Sequence, residues 1–288
     1  MTTATRFTSY FEPWLDYSHP LVRQLAFALA SPNLIQNTPD ELLLNHHFSW
    51  HTPDFWSQQY LHYQSRLRQL DQHPEILTAF FAPLKSTRLG LKFEYLIWFW
   101  LRDQDYHCYQ LLGHSLQIIE GRNTLGELDF LVLNRDTQCV EHWEVALKYY
   151  LAEADLSLAH WYGLNRDDTL FKKLNHFSQQ QFKFTHAAEQ QIEKRIAVVK
   201  GQFYLPSQQR DATLPQWVNP LRRIGHWGHQ LYAQHYSRLN RQEWLCPDFQ
   251  RDRSNCTWWT NGLYYNFNHN DFYMYRQAPA LHSNVTKK

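Results

Sequence analysis

The chain has 288 residues, enough for one large domain or two small ones. Its aromatic content of 16%, with 12 Trp, lets it bury a sizeable core despite a mean hydropathy of −0.61. The net charge of +1 is unevenly spread: residues 1–150 hold 11 Lys and Arg against 16 Asp and Glu, residues 151–288 hold 17 against 11, which permits a polyanion partner without requiring one.

Nine Gly and no low-complexity tract argue against long disordered stretches. The four cysteines, Cys108, Cys139, Cys246 and Cys256, show no CxxC spacing, and a chain of this size needs no disulfide framework. The first residues (MTTATRFTSYFEPW) lack a signal-peptide pattern, and the longest apolar run, residues 95–101, is too short to span a bilayer. The expectation is a soluble, cytoplasmic protein with reduced thiols and no membrane partner.

Residues 1–82 read as mostly helical. Val22, Leu25, Ala26 and Leu29 follow helical spacing up to Ser31-Pro32-Asn33. Thr38-Pro39-Asp40-Glu41 has the form of a capping box opening a second helix, and Asp54 can cap a longer one reaching about Leu70. Nothing here looks catalytic; the region serves to cover one face of a sheet. Residues 84–103 give the next helix, and Glu94 interrupts its apolar run. A carboxylate there must be paired, metal-bound or neutralised, so Glu94 is a partner of Arg88 or Arg102, or a third acid feeding a nearby cation site.

Residues 116–150 are the most informative stretch. Strands are expected at 116–120, 127–133 and 139–147, separated by Gly121-Arg122-Asn123 and Asn134-Arg135-Asp136. Alternation puts His142, Glu144, Ala146 and Lys148 on one face of the third strand and Trp143, Val145 and Leu147 on the other. Glu127, Asp129, Leu131 and Leu133 share a face of the second. With these faces together, Asp129, Glu144 and Lys148 converge. Two carboxylates make a hard-oxygen site suited to Mg²⁺ or Mn²⁺, and a lysine beside them can neutralise charge developing on a phosphate. The competing reading is structural: Glu144 and Lys148 as an ion pair, Asp129 capping a bulge.

Helices are expected at 152–161 and 169–182, the second with a polar side bearing Lys172, Lys173, His176 and Lys183 that is either solvated or in contact with a phosphate backbone. A fourth strand at 195–199 follows. The alternation of helices and strands implies an α/β fold with a central, mixed β-sheet flanked by helices. Beyond a loop at 206–220, Arg222, Arg223, His226, Trp227 and His229 interleave basic and aromatic residues, as single-stranded nucleic-acid contacts do and as any Trp-rich chain does. His226, His229, Cys246 and Cys256 resemble zinc ligands only by chance spacing. Residues 258–271 suggest a closing hairpin around Asn261-Gly262.

A helix bearing Glu94, then Gly126-Glu127-Leu128-Asp129, then a strand with Glu144 and a lysine resembles the PD-(D/E)XK nuclease superfamily. More narrowly, the chain resembles DUF1853, a bacterial family assigned to that superfamily, over nearly its full length. The blocks that carry this are HPLVRQLAFALASPNLI, RLGLKFEYLIWFWL, TLGELDFLV, WYGLNRDDTLFKKLNHFSQQQF, VVKGQFYLP and RQEWLCP. The resemblance implies a single domain, with a helical cover at 1–82, a restriction-endonuclease-like core at 84–205 and an added aromatic-rich extension at 206–288. It also implies Asp129 and Glu144 as Mg²⁺ or Mn²⁺ ligands, Lys148 as the active-site lysine, Glu94 as an accessory acid and metal ligand, and DNA or RNA as substrate. The superfamily pattern places lysine two residues after the glutamate, where this chain has Ala146, and Lys148 lies about 6–7 Å further along the strand. Two readings therefore stand: a metal-dependent nuclease, with Lys172, Lys173, Arg222 and Arg223 as backbone contacts, or a catalytically inactive nuclease-like fold that binds nucleic acid or protein.

Overall fold

In the computed structural model, residues 10–232, 235–248 and 254–278 are described. In chain order the elements are α1 (Pro20–Ala30), β1 (Ser49–Trp50), α2 (Pro53–Gln72), α3 (Glu75–Phe81), α4 (Leu89–Arg102), β2 (Tyr109–Glu120), β3 (Asn123–Asn134), β4 (Cys139–Ala152), β5 (Trp161–Tyr162), α5 (Leu170–His176), β6 (His186–Ala187), β7 (Gln190–Gln191), β8 (Lys194–Pro206), β9 (Gly225–Gly228), β10 (Tyr236–Arg238), β11 (Gly262–Asn266) and β12 (Asp271–Tyr275). The result is a mixed α/β fold built on one large sheet.

The sheet runs β10-β11-β12-β9-β8-β4-β3-β2, with β1 beside β8 and β5 beside β4. Its spine is the parallel pair β4–β8, in register from Glu141↔Lys194 to Leu151↔Tyr204. Such a central pair is covered on both faces, which explains why both strands are nearly continuously buried. One face carries Trp143, Leu147, Tyr149, Val198 and Tyr204 against α1, α2 and α4. The other carries Ala146, Tyr150, Ala197, Val199 and Phe203 against α5 and the loops around Trp161 and Trp217. The alternation expected along β4 is therefore the one found.

Each covering helix has a local reason. Pro20 opens α1, where its missing N–H costs nothing, and every residue from Val22 to Ala30 is buried. In α2 the Thr52 hydroxyl accepts from the Phe55 N–H at 3.3 Å, and Trp56, Tyr60, Tyr63, Leu67 and Leu70 form its inward stripe. Trp143 packs edge-on to Trp56 and Tyr109, with ring centroids 6.3 and 4.9 Å away. Burying each such ring contributes about 1.5–3 kcal/mol.

Several sequence expectations are corrected. Residues 38–47 form no helix: Leu43 is 84% exposed, and the Asn45 and His46 N–H groups instead bond to Ser178. Residues 152–161 form no α-helix either, only a 3₁₀ turn at Leu158–His160, because β4 runs on to Ala152 and the chain turns at Leu156, at φ 53°. β8 does not stop at Val199 but continues through Lys200-Gly201 to Pro206. Gly201 allows this because its φ is 129° and a Cβ there would collide with the Lys148 carbonyl. The closing hairpin exists, but it pairs β11 with β12 and turns after Asn266, leaving Asn261-Gly262 at its open end.

One feature of the sheet positions the site. β3 pairs with β4 only from Asn134↔Cys139 to Phe130↔Trp143. Beyond that point β4 stays with β8, while β3 continues with β2 as a long hairpin arm out to Glu120↔Asn123. The sheet forks at Asp129 and Glu144.

Candidate functional site

A fork exposes backbone groups that a ladder would otherwise pair. Asp129 answers this with its side chain: Oδ2 accepts from the Val145 N–H at 2.8 Å, two residues past the last β3–β4 pair on that strand. Its carboxyl lies close enough to that of Glu144 for the Glu144 charge to raise it. Glu144 is completely buried. Its Oε1 lies 2.6 Å from His142 Nε2, two residues back on the same face of β4, and its Oε2 accepts from Gln181 Nε2.

The opposite wall of the fork is α5 and the π-helical turn Phe177–Gln181 that follows it. The Thr169 hydroxyl caps α5 by accepting from the Lys172 N–H at 3.2 Å, and Leu170, Leu174 and Phe177 anchor it in the core. This sets Lys173 over the fork. Its ammonium donates to Gln181 Oε1 at 3.0 Å and sits 3.9 Å above the Phe177 ring. Gly126, on β3, lies under the edge of the Phe184 ring, and a Cβ there would come within 2.8 Å of it. The segment after the π turn thus seals onto the hairpin arm, where Lys183 Nζ also donates to the Leu125 carbonyl at 3.1 Å.

Burial sets the electrostatics. It pushes the Asp129 carboxyl well above the usual range, and the charges of Glu144 and Glu94 push it further. Burial likewise raises Glu144, against the pull of Lys173. His142 is held neutral, its pKa lowered to about 3 by burial, so its Nε2–H donates to Glu144. Lys173 is pulled down by burial and held up by both carboxyls. The site is a half-open network of two acids, one lysine, one amide and one neutral imidazole.

The two acids expected to converge both lie at the fork, whereas the lysine expected beside them turns away from it. Lys148 shares the face of Glu144 but turns to Asp168, 2.7 Å away, and Tyr150 donates to the same carboxylate at 3.2 Å. Lys173, expected on a phosphate-facing helix surface, is the lysine whose field reaches both Asp129 and Glu144. Its position beside Leu174 and four residues before Phe177, at the edge of the apolar stripe, was the available signal. Gln181 and His142 carried no such signal. Glu94 faces the pair closely enough to raise both acids, but its Oε1 is taken by His114 Nε2 at 2.7 Å, a ring stacked on Trp98 at 4.1 Å. The residue expected as a third ligand thus has one of its two oxygens engaged by His114.

The remaining candidates lie elsewhere. Lys172 is exposed and donates to the Asp167 carbonyl. Arg222 is 4% exposed and gives its donors to the Gly201 carbonyl, Gln202 and Glu12; Arg223 also binds Glu12. Arg222 is thus buried with its donors taken, and Arg223 is partly exposed with Glu12 as its partner. His226 bonds Asp271 and His229 bonds the Arg276 carbonyl, and among the described residues no three His, Cys, Asp or Glu side chains converge on one point. No helix among the described residues is long and apolar enough to cross a membrane.

Fold and site define a mixed-sheet α/β protein with a buried carboxyl pair and a lysine where its sheet forks. The family model described as a domain of unknown function (DUF1853) matches residues 23–270, and the chain belongs to that family. The match spans α1 to β11 and contains the whole fork. Comparison with curated proteins and with solved structures gave no match.

Proposed function

We propose that the fork is a metal-dependent phosphodiesterase site of PD-(D/E)XK type acting on nucleic acid, with Lys173 in place of the lysine that Ala146 lacks. The observation that carries this reading is the Asp129–Glu144 pair, two buried acids brought together at the fork beneath Lys173, which reaches Glu144 through Gln181. Such a pair suits Mg²⁺ or Mn²⁺, hydrated cations that use one or two carboxylates and retain waters. Asp129 and Glu144 would hold such a cation, which would supply Lewis-acid polarisation of the phosphodiester and of the attacking water. The neutral His142 orients Glu144 by donating to Oε1. Lys173 stabilises charge that develops on the non-bridging phosphate oxygens. Lys148, a quarter exposed at the rim, lies where a flanking phosphate would compete with Asp168 for it.

A second reading, an inactive fold that binds nucleic acid or protein, is favoured by a specific feature: both Glu144 oxygens are already bonded inside the protein. The two readings separate when the full chain is incubated with single- and double-stranded DNA and RNA plus Mg²⁺ or Mn²⁺. The first predicts cleavage that is abolished by EDTA and by Asp129→Asn. Salt-sensitive binding without cleavage establishes the second.

A further inference from the structure

Three glutamines stand in a row at 179–181, and only the last turns inward. The cause is the π-helical turn. The Phe182 N–H reaches back five residues to the Phe177 carbonyl, at 3.0 Å, so one extra residue enters the turn and the helix face rotates. The turn is fixed from both sides. Phe177 and Phe182 are buried against Phe48, with centroids 6.0 and 5.1 Å away, and the Ser178 hydroxyl accepts from the Asn45 N–H at 2.7 Å. Gln179 and Gln180 remain exposed, while the Gln181 carboxamide lies between two opposite charges. Its oxygen accepts from the Lys173 ammonium and its nitrogen donates to the Glu144 carboxyl.

We propose that Gln181 is a positioning residue that couples cation entry at Asp129–Glu144 to the placement of Lys173. The inference rests on the metal-dependent reading above. A cation approaching Glu144 Oε2 meets an N–H dipole with its positive end toward it, so the amide must leave that oxygen before the oxygen can bind metal. Lys173 is hydrogen-bonded to the other end of the same amide, so the displacement that opens Glu144 also shifts the ammonium. In the structure Gln181 holds the Glu144 oxygen that a cation would need and, at its other end, the Lys173 ammonium. Release of that oxygen would therefore also free Lys173.

The test is a calorimetric Mn²⁺ titration of the full chain together with single-turnover cleavage at saturating Mn²⁺. Gln181→Met keeps the side-chain volume and removes both bonds; Gln181→Ala is a second variant in case the first folds poorly, with a melt monitored by Trp fluorescence as the check. Removing a hydrogen bond to a charged group that metal must break should tighten Mn²⁺ binding about tenfold. Cleavage should slow at least about tenfold, because Lys173 loses its guide. Damage to the fold alone would weaken both, so tighter binding with slower chemistry is the signature. If Asp129→Asn abolishes Mn²⁺ binding but the Gln181 variants bind no tighter than wild type, the coupling is wrong and the metal site stands. If wild type shows no saturable Mn²⁺ binding, the metal reading fails and the coupling falls with it.

Discussion

The fork and the C-terminal extension of the same sheet use charge in opposite ways. Around β9, β12 and the loop before them, the buried charged groups meet opposite charges. Arg222 and Arg223 close on Glu12, and Asp271 binds His226 at 3.0 Å and Tyr236 at 2.6 Å, with Arg210 3.5 Å away. The Asp271 carboxyl is accordingly held below its usual range by its hydrogen bonds from His226 and Tyr236, against the opposing effect of burial. At the fork the balance is reversed. Two acids and a third nearby face a single half-buried lysine, and burial raises both members of the pair instead of lowering them. One region is electrostatically relaxed and the other is held short of cations. An excess of basic residues in the C-terminal half of the sequence is thus no guide to where a polyanion would dock.

The comparison is broken or sharpened first by removing the acids. Asp129→Asn should cut metal-dependent cleavage by about 10²–10³ or more while the protein melts cooperatively. Arg222→Met should do the reverse: it breaks a buried pair and leaves the Gly201 carbonyl and Gln202 without their donor, costing about 3–5 kcal/mol in urea unfolding. Nucleic-acid affinity of the folded variant should not change.

The raised carboxyls give a smaller, pH-dependent effect. Both groups have folded pKa values above their ordinary 3.8 and 4.5, so the native state binds more protons than the unfolded state above about pH 4. Their contribution is fully present below those ordinary values and is lost as pH rises toward the raised ones. Melting temperature in EDTA should therefore fall between about pH 5 and 8, Mn²⁺ should restore it, and Asp129→Asn with Glu144→Gln should flatten the profile. A melting temperature that rises over this range in EDTA, and in which the double variant changes nothing, would contradict the raised carboxyls. The smallest effect belongs to Lys172, exposed and held only by a carbonyl. Lys172→Ala should change stability by less than about 0.5 kcal/mol and lower the salt slope of nucleic-acid binding by about 1.

Much of this architecture was legible because it is periodic. Alternation along β4 separates Trp143 from Glu144, and helical spacing marks α1, α2 and α4. What the sequence could not display depends on long-range pairing. The fork exists because β3 abandons β4 at Phe130↔Trp143, and no residue in either strand announces that. The same break makes the Asp129 side chain a substitute for a ladder acceptor. Lys148 and Lys173 look alike in a linear reading; a neighbour twenty residues away, Asp168, takes one, and the edge of an apolar stripe delivers the other. The inward turn of Gln181 depends on a π turn, whose extra residue leaves no trace in composition. Proline-opened residues 38–47 mislead for a related reason: their cap is good, but too little of the segment is buried to fold a helix onto anything.

The central claim, that Lys173 has taken the catalytic place on the pair, is tested most directly by single-turnover cleavage with Lys173→Met and Lys148→Met measured side by side at saturating Mg²⁺. The account predicts a loss of about 10²-fold or more for Lys173→Met, with Mg²⁺ affinity changed little, and no more than a few-fold loss for Lys148→Met. Cleavage that survives in Lys173→Met and disappears in Lys148→Met would contradict it.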